Sequence, residues 1–231
     1  MLTLNKISAE IVSAPVLRNV TISIPPASTT ALIGRNGAGK TSVLRTIMGF
    51  MKVTDGDVQF DGRPLLSTPA HHRARLGIGY APEDRRLNGS FTLEGNLRFP
   101  GEVLGLSDAE IGKRLEGIYE VMPELKELSS RPAAGLSGGQ GKMVALGRAL
   151  MIGTKVILLD EPFQGLAPVL AQRYASALRK LRDVNRDVAL VITESNPSLL
   201  RGFADNSYVI ERGEVTELDR LPGTSLEAAG H

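Results

Sequence analysis

The sequence predicts an α/β protein with a mostly parallel core sheet, an antiparallel β part in its N-terminal region and a helical lobe inserted into the chain. Three observations carry this. The apolar run Thr30–Ile33 feeds a glycine-rich turn and then a helical pattern. A second apolar run, Val156–Leu159, ends in two adjacent carboxylates. Between them, from about Thr92 to Ile152, β-branched alternation gives way to helical spacing. Two βα stretches flanking a helical insert imply a core of parallel strands with a lobe grafted into it. The core is expected over residues 1–82 and 154–220, and the lobe over 83–153.

Each element has its own signal. Val20–Ile24 alternates with period two and ends at Pro25-Pro26. Ser42–Met48 places apolar residues three and four apart, as a helix does. Val58–Phe60 lies between the turn signals Asp55-Gly56 and Asp61-Gly62, which predicts a hairpin. Leu76–Tyr80 reads as a strand closed by Pro82. Ser107-Asp-Ala-Glu110 is a capping box, and Ile111, Leu115, Ile118 and Met122 form one helix face behind it. Another helix runs from about Gln140 to Met151. After Val156–Leu159 come a helix over Pro168–Val184, the strand Val188–Thr193, a short helix from about Pro197 to Phe203, and a hairpin. That hairpin pairs Ser207–Ile210 with Val215–Leu218 around Arg212-Gly213. The tail after Leu221 is expected to fray.

Bulk properties narrow the chemistry. The 231 residues suffice to bury a full α/β core. Net charge is +2, from 27 Lys+Arg against 25 Asp+Glu, too balanced to propose nucleic acid as a partner. Zero cysteines exclude disulfides, thiolate metal sites and a cysteine nucleophile. No apolar run is long enough to span a bilayer. Met1–Lys6 lacks the charged-then-apolar order of a signal peptide. A soluble protein is expected, reaching any membrane through partners. His71-His72 read as surface histidines, since adjacent residues do not share a helix face.

Chemistry concentrates in three stretches. Gly34-Arg35-Asn36-Gly37-Ala38-Gly39-Lys40-Thr41 is a complete phosphate-binding loop. Its glycines let successive N–H groups point at one anion, at a helix N-terminus whose dipole also favours negative charge. Lys40 is expected to reach the β/γ-phosphates, the Thr41 hydroxyl to sit on Mg²⁺, and Ser42 to continue the cradle. At the carboxyl end of the second strand, Asp160 is expected to orient Mg²⁺, and Glu161 to take a proton from the attacking water. The third stretch, Leu136-Ser137-Gly138-Gly139-Gln140, would alone pass for a linker fragment. At a helix N-terminus shortly before the Asp160-Glu161 strand it becomes a second anion nest. One phosphate cannot fill two nests in one small domain, so geometry points to a head-to-tail dimer with nucleotide at the interface. A small-molecule kinase on the same loop would leave Leu136–Gln140 unexplained.

The order of these three motifs resembles the nucleotide-binding subunit of ABC transporters, over nearly the whole chain. That resemblance implies the ABC ATPase fold on a P-loop NTPase core, with ATP and Mg²⁺ as ligands. It also implies transmembrane permease subunits and a second ATPase subunit as partners, at the cytoplasmic face of the inner membrane. Tyr80-Ala-Pro-Glu83, Arg85-Arg86, Thr92-Leu-Glu-Gly-Asn-Leu97 and Gly165-Leu-Ala-Pro168 resemble the LivF type of branched-chain amino-acid importer. A periplasmic solute-binding protein is then an indirect partner, and the second ATPase is either another copy or a LivG-like paralogue, which the resemblance favours. Glu83 is implied in the loop that senses γ-phosphate and metal and couples to the permease. Ser137, Gly138 and Gly139 are implied to reach the partner's ATP.

Three departures from the family pattern stand out. Ile11 occupies the position where relatives stack an aromatic on adenine. Such stacking is worth about 1–3 kcal/mol per base, so weaker nucleotide affinity or base selectivity is expected. Ser195 stands where most relatives place a histidine on the γ-phosphate; its hydroxyl hydrogen-bonds but carries no charge. Ala167 replaces an aspartate, which weakens one cross-dimer contact. A binding-dominant or non-transport subunit of the same superfamily is the alternative: Ser195 supports it and Glu161 opposes it.

Overall fold

The computed structural model describes residues 1–219; the expected fraying after Leu221 lies outside them. The strands that read as uninterrupted apolar runs form the centre. Strands β3 (Thr29–Ile33), β7 (Val156–Asp160) and β8 (Ala189–Glu194) are buried along their full length. They belong to a six-stranded sheet ordered β10-β9-β3-β8-β7-β6, with β6 at Ile78–Ala81, β9 at Asn206–Glu211 and β10 at Glu214–Leu218. All its pairings are parallel except the β9–β10 hairpin. Parallel strands covered on both faces need apolar side chains on both faces, which is why these segments show no alternation.

The two faces pack into two cores. Ala31, Ile33, Ile157, Leu159, Leu190 and Ile192 join one with the helices; Leu32, Val156, Leu158, Ala189 and Val191 join the other. The helical side consists of α3 (Leu93–Leu104), α4 (Asp108–Val121), α5 (Pro123–Glu127), α6 (Gly138–Ile152) and α7 (Pro168–Val184). The Ser107 capping box and the Ile111, Leu115, Ile118 and Met122 face are present as predicted, all four residues buried.

On the opposite side lies a four-stranded antiparallel sheet ordered β2-β1-β4-β5. Its strands are β1 (Leu2–Ile11), β2 (Ala14–Ile24), β4 (Lys52–Phe60) and β5 (Arg63–Pro64). Helix α1 (Lys40–Met48) is clasped between the two sheets through Val43, Leu44, Ile47 and Met48. The structure departs from the sequence reading in several places: the short helix expected over Pro197–Phe203 is a 3₁₀ turn, Pro197–Leu200, and three departures lie nearer the N-terminus. β1 is a full strand that the pattern did not show, because Lys6 adopts φ 52° and the buried face shifts from Leu2 and Leu4 to Ile7 and Ala9. Asp55-Gly56 is not a turn but an irregularity inside β4; a Cβ on Gly56 (φ 88°) would meet the Lys6 carbonyl oxygen at 2.4 Å. Leu76 and Gly77 precede β6, in a 3₁₀ turn and its left-handed cap.

Arg73, in the short helix α2 (Ala70–Arg73), is buried rather than solvated. Its guanidinium donates to the Thr46 and Ile47 carbonyls at 2.9 and 2.7 Å and to the Thr68 carbonyl at 3.0 Å. It thus satisfies orphan acceptors at the C-terminal end of α1, where the helix dipole favours a cation. Arg73→Met should therefore lower stability by about 2–3 kcal/mol, from lost charge-assisted hydrogen bonds. Urea denaturation reads this as an earlier midpoint at unchanged slope.

Candidate active site

Parallel pairing brings four strand ends to one edge. Ile33 lies opposite Glu194, Asp160 opposite Thr193, and Ala81 opposite Leu159. The loops that follow β3, β6 and β7 therefore line one cleft of about 650 Å³, and Ser195, just after β8, joins them through Lys40 and Glu161. Asn36–Ser42, Glu83 and Glu161 line it, with Ile11, Pro15 and Val16 on one wall.

The phosphate loop takes the expected form, with α1 beginning at Lys40 rather than Ser42. Gly39, capping the helix, has φ 116°, a conformation open to glycine. Gly34 is needed for packing: a Cβ there would meet the Ile210 carbonyl oxygen at 2.4 Å. Ala38 closes the turn through its N–H on the Arg35 carbonyl. Lys40 is buried, and its ammonium donates to the Gly34 and Arg35 carbonyls at 2.6 and 3.0 Å and to Ser195 Oγ at 3.0 Å. It also pairs with Glu161 Oε1 at 2.8 Å, both side chains 5 % exposed.

The two carboxylates have different partners. Asp160 accepts from Thr41 Oγ1 (3.1 Å), Thr193 Oγ1 (2.8 Å) and the Tyr80 hydroxyl (3.2 Å). Burial first, then the charge of Asp160, pushes the Tyr80 phenol above its ordinary range, so it stays a donor. Glu161 turns the other way because its backbone is left-handed, φ 47°. Its carboxylate meets the Ser195 hydroxyl at 2.7 Å and the Ser195 N–H at 3.3 Å, and Ser195 Oγ lies 2.8 Å from Asn36 Oδ1. Ser195 is thus gathered into the centre of the constellation.

The remaining predicted residues sit at its margins. Glu83 is exposed at the cleft rim, and Ile11 is 42 % exposed at the end of β1. Ser137 caps α6: its hydroxyl accepts from Gln140 N–H, and Gln140 Oε1 accepts from Ser137 N–H, a second capping box. Ser137 and Gly138 are exposed and do not line this chain's own cleft; Gly139 packs against Leu166 and Leu170. Arg85 is exposed and donates to the Gly138 carbonyl at 3.1 Å.

Sequence reasoning missed Thr193, Tyr80, Lys142 and Glu194 as parts of the site. Their signal is a polar residue within or beside an apolar run, visible only once the strands are paired. Glu194 is 2 % exposed and accepts from Phe163 N–H at 2.9 Å. Burial, reinforced by the Glu161 charge, raises its carboxyl from 4.5 to about 7. Its favourable contribution to folding is complete below pH 4.5 and is lost as pH rises through 7. Glu194→Gln should remove that loss, so the variant gains roughly 2 kcal/mol on the native chain between about pH 5 and 8. Paired urea melts at the two pH values measure the difference.

The chain is similar to known proteins over most of its length. Residues 17–164 match the ABC transporter family. The chain is 33 % identical, over 95 % of its length and 92 % of the relative's, to the high-affinity branched-chain amino acid transport ATP-binding protein BraG of Pseudomonas aeruginosa. It is 32 % identical to the probable branched-chain amino acid transport ATP-binding protein LivF of Archaeoglobus fulgidus, over 100 % and 95 % of the two chains. A solved ATP-binding subunit of an ABC transporter superposes with a TM-score of 0.81 at 26 % identity, covering 95 % of this chain and 90 % of that one. With the phosphate loop, the paired carboxylates and the Ser137 cap set in this frame, the chain belongs to the ABC transporter family, as an ATP-binding, ATP-hydrolysing subunit with the ABC ATPase fold.

Proposed function

We propose that this subunit hydrolyses Mg·ATP in the cleft at the ends of β3, β7 and β8, and so powers import of branched-chain amino acids or related small polar solutes. The observation that carries the reading is two bonded sets at one strand edge: Lys40, Glu161 and Ser195 within hydrogen-bond reach of one another, and Thr41 on Asp160. Backbone N–H groups of Gly37–Thr41 cradle phosphate oxygens at the α1 N-terminus. Lys40 exchanges its carbonyl, Ser195 and Glu161 partners for β/γ-phosphate oxygens. That exchange releases the Glu161 carboxylate to accept a proton from the attacking water, a step worth about 10²–10⁴ in rate. The donors fit Mg²⁺: Thr41 Oγ1 and Asp160 Oδ1 are hard oxygens 3.1 Å apart, and with Glu83 they would hold the ion, which neutralises phosphate charge. The Ser195 N–H orients the Glu161 carboxylate, and the Ser195 hydroxyl exchanges its Glu161 partner for the γ-phosphate.

A second reading rests on the Lys40–Glu161 ion pair. If ATP fails to break it, the chain binds nucleotide and closes but hardly turns over. Glu161→Gln decides between them in a steady-state ATPase assay, run alone and with a second nucleotide-binding subunit. The expected result is a fall in kcat of about 10²-fold or more with ATP affinity retained. Tight binding without turnover by the native chain in both settings establishes the second reading instead.

The exposed Ser137 tip supports a head-to-tail pair with another copy or a LivG-like paralogue, each tip covering its mate's ATP. A permease surface is supported by a groove of about 680 Å³ between core and helical lobe. Phe50, Phe99 and Val103 are exposed in it, and Arg45, Arg85, Arg86 and Arg148 rim it. An apolar patch with a cationic rim suits a short amphipathic permease segment bearing acidic residues. Arg85 connects that groove to the tip through Gly138. Among the described residues no helix is long and apolar enough to cross a membrane, in keeping with a peripheral subunit at the cytoplasmic face, served indirectly by a periplasmic solute-binding protein. For cargo, the names of BraG and LivF favour branched-chain amino acids, while relatives named for lipopolysaccharide export and methionine import share 30 % and 34 % identity. Phe99→Asp with Val103→Asp should abolish co-purification with permease subunits from membranes while ATP affinity stays within about twofold.

A further inference from the structure

Behind the cleft wall lies a group of buried charges that the scheme above leaves unused. Glu194 closes β8, and its carboxylate holds the Phe163 N–H while facing Glu161, Lys142 and Tyr174. From the opposite side Lys142 of α6 donates its ammonium to the Glu161 carbonyl at 2.6 Å, and Gln164 N–H shares that oxygen at 3.2 Å. The Glu161 N–H is fixed as well, on Thr193 Oγ1 at 3.1 Å. The residue so bracketed has φ 47° and is not glycine. Such a backbone persists where its surroundings over-determine it.

Packing alone does not account for these side chains. A half-buried lysine and a buried glutamate beside a second glutamate cost desolvation that apolar residues of similar size would avoid. What they supply is direction. We propose that Lys142 and Glu194 are positioning residues for hydrolysis: together they hold the left-handed turn Glu161–Gln164 so that the Glu161 carboxylate stays aimed into the cleft. Lys142 further ties that aim to the helix capped by Ser137. The inference rests on the reading of Glu161 as general base. It extends that reading to the path by which the helical lobe, on meeting a partner, acts on the base.

Three elements present titratable groups to Glu194: Glu161 after β7, Lys142 on α6 and Tyr174 on α7. Lys142 in turn faces Glu83 and Arg85. Burial holds the Lys142 ammonium below the usual lysine range. A proton on Glu194 leaves one negative charge beside the turn; losing it places a second charge against Glu161.

The experiment uses the full chain with ATP and Mg²⁺. It measures kcat from about pH 5.5 to 9, affinity for a non-hydrolysable ATP analogue, and thermal melting. Glu194→Gln and Lys142→Met are each expected to lower kcat about tenfold, with analogue affinity within about twofold. Lys142→Arg should restore most of the rate, and Glu194→Gln should erase an inflection near pH 7 in the kcat profile. Native turnover in both variants overturns the proposal. Losses of kcat that track lost analogue affinity and a lowered melting temperature overturn it equally, by assigning both residues to the fold. Glu161→Gln, measured in parallel, separates the two levels. If that variant still turns over, the base assignment fails; if it is inactive while Glu194→Gln and Lys142→Met are unimpaired, only the positioning role fails.

Discussion

Register between parallel strands is the constraint from which the site follows. With Ile33 beside Glu194 and Asp160 beside Thr193, three chain segments far apart in sequence end at one level. A parallel sheet allows this because every strand runs the same way, so loops after the strands meet while loops before them lie at the far edge. A slip of one residue in β8 would turn Thr193 and Glu194 to opposite faces. Asp160 would then lose its Thr193 hydroxyl, and the Phe163 N–H its carboxylate. Apolar packing on both sheet faces opposes such a slip, so the cores and the chemistry are fixed by the same contacts.

Charge is then handled locally. Lys40, Asp160, Glu161 and Glu194 are all buried, yet each is matched by specific donors or acceptors rather than by bulk solvent. Lys40 shares its protons among two carbonyls, a hydroxyl and a carboxylate. Asp160 takes three hydroxyl donors and Glu161 one ammonium, one hydroxyl and one N–H. Removing one member from such a set exposes the others as unpaired charges, which costs more than the lost bond itself. This explains why the cleft is preorganised although its components come from four different elements.

Much of this was readable in advance where the determining contacts are short-range. The turn Gly34–Thr41, the Ser107 cap and the apolar strand before Asp160 depend on neighbours within a few residues, and each stands where its pattern placed it. The Ser137 capping box was not read, and α6 starts at Gly138, ahead of the expected start near Gln140. Residues whose role depends on distant partners were opaque. Arg73 looks like a basic surface residue until the end of α1 is set against it. Glu194 looks like a polar strand terminus, and Lys142 like a solvated helix position. β1 escaped for a related reason: the Lys6 kink and the Gly56 approach break its alternation, and only pairing between β1 and β4 makes both intelligible.

The Ser137 cap has a consequence for which side chains that position tolerates. Its oxygen serves the Gln140 N–H as acceptor, and that role leaves the hydroxyl proton available as a donor. An aspartate would terminate α6 equally well, yet would meet any arriving anion with like charge. Alanine would leave the end of the helix frayed. Serine closes the helix and keeps a neutral donor at its tip, and the Gln140 side chain already locks the turn, so that tip is ordered within the single chain.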